Sequence, residues 1–214
     1  MVVVTFAVPH ESHDLRKADR SPDVIIAHTG IGTAAAEKCV SALITEHRPH
    51  WLLSAGYAGA LDPAIAHGEL FVATNFTSPE LLNRSTARRG ILTTLQNAAE
   101  TPAQKAALAR ETGAQAVDME TSAIAAVCAA HRVPLLSLRA ISDTASAHIP
   151  VPLHISYDLK KQRPRIFALL AFLAGNPSRI LPFARFVRGL TPARAALTTE
   201  IVTLLENDYE REHA

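Results

Sequence analysis

Cysteine is scarce in this chain of 214 residues, and the two present, Cys39 and Cys128, lie far apart in alanine-rich stretches that read as helix. They lack metal-ligand spacing, which argues against a disulfide framework and leaves them as core thiols. Long apolar runs are missing too. The longest, Ile166 to Ala174, falls short of the roughly 18 residues of a membrane span. The first residues, MVVVTFAVPHES, have neither a basic leader nor a small-residue cleavage site, so the expectation is a cytoplasmic protein without a signal peptide. Acidic residues are nearly absent from one region. Between Ser156 and Ala196 a single acid, Asp158, faces eight Lys or Arg, a local excess of +7 inside a chain whose net charge is +1. No aromatic-interleaved RNA motif or zinc module accompanies this basic island, so nucleic acid is not the expected partner.

Hydrophobic residues, at 48% of the chain, suffice for one α/β core. Val2 to Val8 and Val24 to His28 read as buried strands, Thr33 to His47 as a helix stopped by Pro49, and Trp51 to Ala55 as a strand running into a glycine-rich loop, Gly56-Tyr57-Ala58-Gly59. Strands follow at Glu69 to Asn75 and Gly90 to Thr94, with polar, irregular chain between them. A helix lies between Pro102 and Gly113, a strand stub at Ala116 to Val117, a small-residue helix at Met119 to His131 and a strand at Pro134 to Ile141. Beyond Pro150 the chain reads as helical pieces separated by Pro164, Pro177, Pro182 and Pro192. The alternation predicts a single α/β domain over residues 1–214, a three-layer sandwich whose mixed, partly closed sheet carries helices on both faces, with a helical, basic C-terminal region at 151–214.

In such folds ligands bind beyond the carboxyl ends of the strands, which directs attention to Glu11, Gly30 to Gly32, Gly56 to Gly59, Asp118 to Glu120 and Ser142-Asp143. Asp143 follows a buried strand, and burial raises a carboxyl above its ordinary ~3.9, as an acid that protonates a leaving base requires. The same Ser142-Asp143 pair reads equally as a helix cap. Glu120, where a strand stub meets a helix, suits a carboxylate accepting two vicinal hydroxyls, or one that compensates the helix dipole. Glu11 reads either as a carboxylate that orients a water or as an isolated surface acid after a proline, and Met119 either as packing under a sugar or as plain core. The cluster from His10 to Asp14 lacks the spacing of a zinc site. Gly30-Ile31-Gly32-Thr33-Ala34-Ala35 matches a dinucleotide-binding turn, but the acidic residue expected about 20 positions further on is missing, so the glycines read as a tight turn against a ligand or the sheet.

The segments HTGIGTAAA at 28–36, SAGYAGALDP at 54–63, AVDMETSAIAAVC at 116–128 and LRAISDTA at 138–145 resemble the nucleoside phosphorylase and nucleosidase superfamily, over residues 1 to about 146. The resemblance implies cleavage of a purine N-glycosidic bond, with Asp143 as the acid at the base, Glu120 and Met119 as ribose contacts, Glu11 as the residue that activates water, and Tyr57 where relatives line the base and sugar pocket with a small residue. Gly56, Ala58, Gly59 and Ser142 complete the implied substrate site. The resemblance also implies a homo-oligomer, such as a dimer, and no cofactor. Phosphate would be a co-substrate in a phosphorylase, but Ser54 stands where phosphate users often carry an arginine, which tilts the reading to hydrolysis. The link from Ala73 to Gly90 is shorter than in methylthioadenosine nucleosidases. Leu95 to Ala99 lacks the aromatic that usually meets the base, so an open pocket for a bulky 5′ group is expected. The arginines of the C-terminal island interleave with Ile166, Phe167, Leu170, Ile180, Leu181 and Phe186. They read either as solvated faces of packed helices or as an interfacial helix on the inner membrane surface, serving a lipid-linked nucleoside such as adenosylhopane.

Overall fold

The computed structural model describes residues 1–15 and 23–212. Strands β1 (Val2–Phe6), β2 (Val24–His28), β3 (Trp51–Ala60) and β8 (Leu135–Asp143) form the parallel heart of the sheet in the order β2-β1-β3-β8. β4 (Leu70–Ala73) adds to β8 antiparallel, and β5 (Arg88–Gly90) adds to β4 parallel. At the far end of β3, β7 (Ala116–Asp118) pairs antiparallel through Gly59 and Ala60, and β6 (Leu92–Thr94) joins β7. The sheet is therefore mixed and curls at one end without closing into a barrel.

Period-2 alternation sorts the strand side chains to two faces. Val3, Leu52 and Leu135 meet Ala36, Val40 and Ile44 of α1 (Thr33–His47) and Ile124, Val127 and Cys128 of α3 (Thr121–His131). On the other face Val4, Leu53, Leu136 and Leu138 meet Ala193, Leu197, Ile201 and Leu204 of the last helix, α6 (Ile180–Glu212). Three layers result. A polar clamp fixes the end of that last helix, because Trp51 Nε1 donates to Asp208 at 2.8 Å while Arg84 pairs with the same carboxylate and stacks 5.2 Å from the Trp51 ring. A further helix, α2 (Pro102–Thr112), opens with a capping box between Thr101 and Gln104.

Four expectations need correction. The stretch Gly56 to Gly59 is strand rather than loop, since β3 continues to Ala60 beside β8. Gly90 to Thr94 is split between β5 and β6, which pair with different partners. The C-terminal region is not wholly helical. A short helix α4 (Leu153–Ser156) leads into a two-residue hairpin of β9 (Tyr157–Asp158) and β10 (Arg163–Pro164), and α5 (Ile166–Gly175) follows. Finally, α6 runs unbroken past two prolines. Pro182 falls in its first turn, where no intrahelical donor is lost, and Pro192 forfeits one backbone bond next to a well-packed apolar face.

Candidate active site

The carboxyl ends of β1, β3, β7 and β8 converge on a cavity of about 550 Å³. Glu11, Tyr57, Ala58, Gly59, Met119, Glu120, Ser142 and Asp143 all line it. Gly56 lies behind them, on a smaller chamber of about 10 Å³ that it shares with Glu11, Glu120, Ser54, Thr29 and Arg139. That volume is the room of one water molecule.

Glu11 reaches this place because the chain turns sharply after β1. Its Oε2 accepts from the Val8 amide at 3.0 Å and its Oε1 from the Tyr57 amide at 3.0 Å, which ties the turn to β3. Burial raises the Glu11 carboxyl above its ordinary value, and the two amides oppose that rise. Gly56 makes the approach possible, since a Cβ there would stand 2.9 Å from Glu11 Oε1. Gly59 does the same for Asp143, with a Cβ position 3.1 Å from Oδ2. The two glycines stand three residues apart on β3, so one strand makes room for both carboxyls.

Asp143 is the last residue of β8, and the next helix begins only at Leu153, so Ser142-Asp143 caps no helix. Both carboxyl oxygens have donors: Ser142 Oγ stands 2.6 Å from Oδ1, and the ammonium of Lys105 lies against Oδ2. Lys105, only 1% exposed, directs its other protons to the carbonyls of Thr144 and Ala147 at 2.7 and 3.2 Å. Asp143 is therefore paired with a buried cation, which sequence reasoning missed. The signal was there: Lys105 lies three and four residues before Leu108 and Ala109, the face by which α2 packs.

Glu120 does not serve the dipole of its own helix. Its Oε1 accepts from the Gly32 amide at 2.8 Å, at the start of α1, whereas Asp118 accepts from the Thr121 amide at 3.2 Å at the start of α3. Burial first and the neighbouring Asp118 second push Glu120 up to about 8. The glycine turn before α1 is equally committed on its other side, for the Ile31 amide donates to Gln162 at 2.8 Å. Its amides hold protein groups in the place where a dinucleotide site would present them to a pyrophosphate.

Arg139 interrupts the apolar run LLSLRAI of β8. Buried, it donates to Asp118 through Nε at 3.1 Å and Nη2 at 3.0 Å, and to the Ser54 carbonyl at 2.6 Å. A lone arginine inside a buried strand is costly unless paired, and that cost is the clue that could have marked it. His10 and Asp14 both engage Arg194, at 2.9 and 2.7 Å, and Ser12 engages His28 at 2.7 Å. Ala98 and Ala99 line the cavity where an aromatic was expected to be missing, and the apolar wall comes instead from Phe183, Phe186 and Leu190 of α6.

The phosphorylase superfamily profile matches residues 20–90 and 79–171. The chain belongs to this family. It is an enzyme of the nucleosidase and nucleoside phosphorylase class. It is 26% identical over 159 residues to the 5′-methylthioadenosine/S-adenosylhomocysteine nucleosidase of Staphylococcus epidermidis, covering 58% of this chain and 70% of the relative. The corresponding Staphylococcus aureus nucleosidase is 25% identical over 164 residues, covering 60% and 72%. In fold the chain is similar to the native futalosine hydrolase of Helicobacter pylori, with a TM-score of 0.71 at 16% identity over 96% of this chain and 97% of that one. The Neisseria meningitidis nucleosidase in complex with methylthio-immucillin-A gives 0.70 at 17% identity over 96% and 98%.

Proposed function

We propose that the enzyme hydrolyses the N-glycosidic bond of a purine nucleoside, adenine being the base and the 5′ position carrying an apolar substituent. The observation that carries this reading is the water-sized chamber bounded by Glu11, Glu120 and Arg139, three ionisable groups around the room of one water beside the main cavity. Arg139 is bound to Asp118 and Ser54 and is not free to clamp a phosphoryl group. The named nucleosidase and hydrolase relatives support the same class of reaction.

Asp143 delivers a proton to the base as the bond to the anomeric carbon breaks and its electron pair leaves with the base. That proton comes from the Lys105 ammonium, which lies against Oδ2 in the resting ion pair, while Ser142 Oγ holds the other oxygen; Lys105 regains a proton as Glu11 releases the one taken from water. Glu120 accepts the ribose hydroxyls, and Met119 packs beside the sugar. The water held by Glu11 attacks the oxocarbenium-like carbon and passes its proton to Glu11, an acid and a base at separate ends of the sugar as in inverting glycosidases. Such a step consumes only water. The apolar wall of Leu153, Phe183, Phe186 and Leu190 lies where a 5′ group of hydrocarbon character would be taken up, and adenosylhopane is the member of that class to test first.

The test is adenine release from 5′-methylthioadenosine, S-adenosylhomocysteine, adenosylhopane and adenosine, each with and without phosphate. The expected result is release independent of phosphate, with a free sugar as the second product and the highest kcat/KM for the most apolar 5′ group. Phosphate-dependent release with a sugar 1-phosphate product would make the enzyme a phosphorylase. Tight binding of these nucleosides with no base release would make it a sensor.

A further inference from the structure

Helix α5 has the sequence IFALLAFLAG, apolar from end to end, yet none of its residues is buried. Phe167 is 89% exposed, Ile166 60% and Leu170 58%, and Leu181 at the start of α6 adds another 58%. A helix that is hydrophobic all round is ordinarily found inside a protein or a bilayer. Cations stand on both sides of it. Lys160, Lys161, Arg163 and Arg165 precede α5, and Arg179, Arg185 and Arg188 follow it; all seven are exposed and none forms an ion pair among the described residues. The one acid in this stretch, Asp158, spends Oδ1 on the amides of Lys160 and Lys161 at 3.1 and 3.0 Å.

We propose that α5, the β9–β10 hairpin and the first turns of α6 form a docking face that seats the enzyme on the surface of an anionic lipid bilayer. The proposal goes beyond the reaction and does not depend on it. Three observations select this occupant. Apolar side chains flanked by long basic ones match a layered partner, hydrocarbon under a band of negative headgroups, into which arginine and lysine stems extend. No helix among the described residues is long and apolar enough to cross a membrane by itself, and although α5 and α6 together have the length and composition of a span, they meet at a bend of 111° and the later turns of α6 are packed on the protein core, which favours a pair seated on one face of a bilayer. A second copy of the chain is disfavoured by charge, because a two-fold contact sets each patch against itself, seven cations and one acid against the same.

The docking face and the cavity share one helical segment. Phe183 and Phe186 line the cavity, while Leu181, Val187 and Arg188 of the same turns, and Arg179 just before them, are exposed. Seating α6 on lipid therefore brings the apolar wall of the cavity to the bilayer, from which a hydrocarbon-bearing nucleoside would enter without crossing water.

The experiment is flotation of the full chain with phosphatidylcholine vesicles and with phosphatidylcholine–phosphatidylglycerol vesicles, at low and high salt. Binding is expected only with phosphatidylglycerol, decreasing as salt rises. Each basic side chain near such a surface is worth about fivefold in partitioning, so Lys161→Ala/Arg179→Ala/Arg188→Ala should weaken binding about a hundredfold. Phe167→Asp/Leu170→Asp should weaken it by a similar factor and leave adenine release from soluble 5′-methylthioadenosine unchanged, since neither residue lines the cavity. No binding to phosphatidylglycerol vesicles at low salt, or undiminished binding by both variants, overturns the proposal. So does a dimer in solution that Phe167→Asp/Leu170→Asp disperses without any vesicle binding. Vesicle binding by a chain that releases base from no nucleoside would sink the hydrolase reading and leave the docking face standing.

Discussion

At the scale of single residues, the site is built from charges whose partners decide what they can do. Asp143 has one carboxyl oxygen on Ser142 and the other on Lys105. Replacing it with asparagine keeps the shape and removes the carboxylate that carries the proton to the base, so kcat should fall by about 10² or more, the usual contribution of general acid catalysis. Steady-state adenine release measures this, and wild-type turnover would refute the role. Lys105 raises a separate question of stability. Removing one member of a buried pair strands the other, typically at about 3–5 kcal/mol, so Lys105→Met should unfold at markedly lower denaturant than wild type. Adding Asp143→Asn to it should restore part of the loss, and urea titration of the cycle reports that coupling. If the two changes simply add, the pair contributes nothing specific. The glycines make a third case. Gly56→Ala would press on Glu11, and Gly59→Ala on Asp143, each through a single added methyl group. Because they touch the groups assigned to water and to base, both should lower kcat by at least tenfold, a 1.4 kcal/mol change in barrier, with thermal stability as the control.

At the scale of elements, the legibility of the fold tracked how local its causes are. β2 and α1 have the bounds their patterns predict, Val24–His28 and Thr33–His47, because an apolar β-branched run, helical spacing and the flanking Pro49 are all local signals, although β2 is half-buried rather than buried as expected. The extension of β3 through Gly56 and Gly59 was not legible. Glycines usually end strands, and here they persist because β8 pairs alongside and two carboxyls need the space that a Cβ would fill. Asp143, Glu120 and Glu11 could be marked from strand ends. Lys105 and Arg139 could not be read as site residues without knowing what faces them across the fold. The unbroken course of α6 has the same origin, a buried face supplied by β3 and β8. Leu197→Ala and Ile201→Ala should accordingly each cost about 2–5 kcal/mol, the range for truncating a packed aliphatic side chain. The same change at Leu170, which touches no core, should alter the midpoint by less than about 0.5 kcal/mol. Equal losses at all three positions would mean that α5 packs on the protein in solution.

At the scale of the whole molecule, the gathering of acids at one end of the sheet couples stability to pH. Glu120 stands near 8 in the folded chain against an ordinary 4.5, raised by burial and by Asp118, and Glu11 is raised as well. Between those values the folded protein binds more protons than the unfolded chain, so stability falls as pH rises. The contribution is complete below about pH 4.5 and is lost as pH climbs through about 8. For Glu120 it amounts to at most about 5 kcal/mol, the free-energy equivalent of its displacement. Glu120→Gln carries no titratable proton and should flatten the decline in midpoint between pH 5 and 8, leaving the smaller slope due to Glu11. A nucleoside whose hydroxyls donate to Glu120 favours the ionised carboxylate, so binding at neutral pH should release a proton and should tighten as pH approaches 8. Calorimetry in two buffers of different ionisation enthalpy reads that proton directly. Binding without proton release, in an enzyme whose Glu120→Gln variant keeps the wild-type slope, would show that this carboxyl is already ionised in the empty site, against the raised value that couples it to pH.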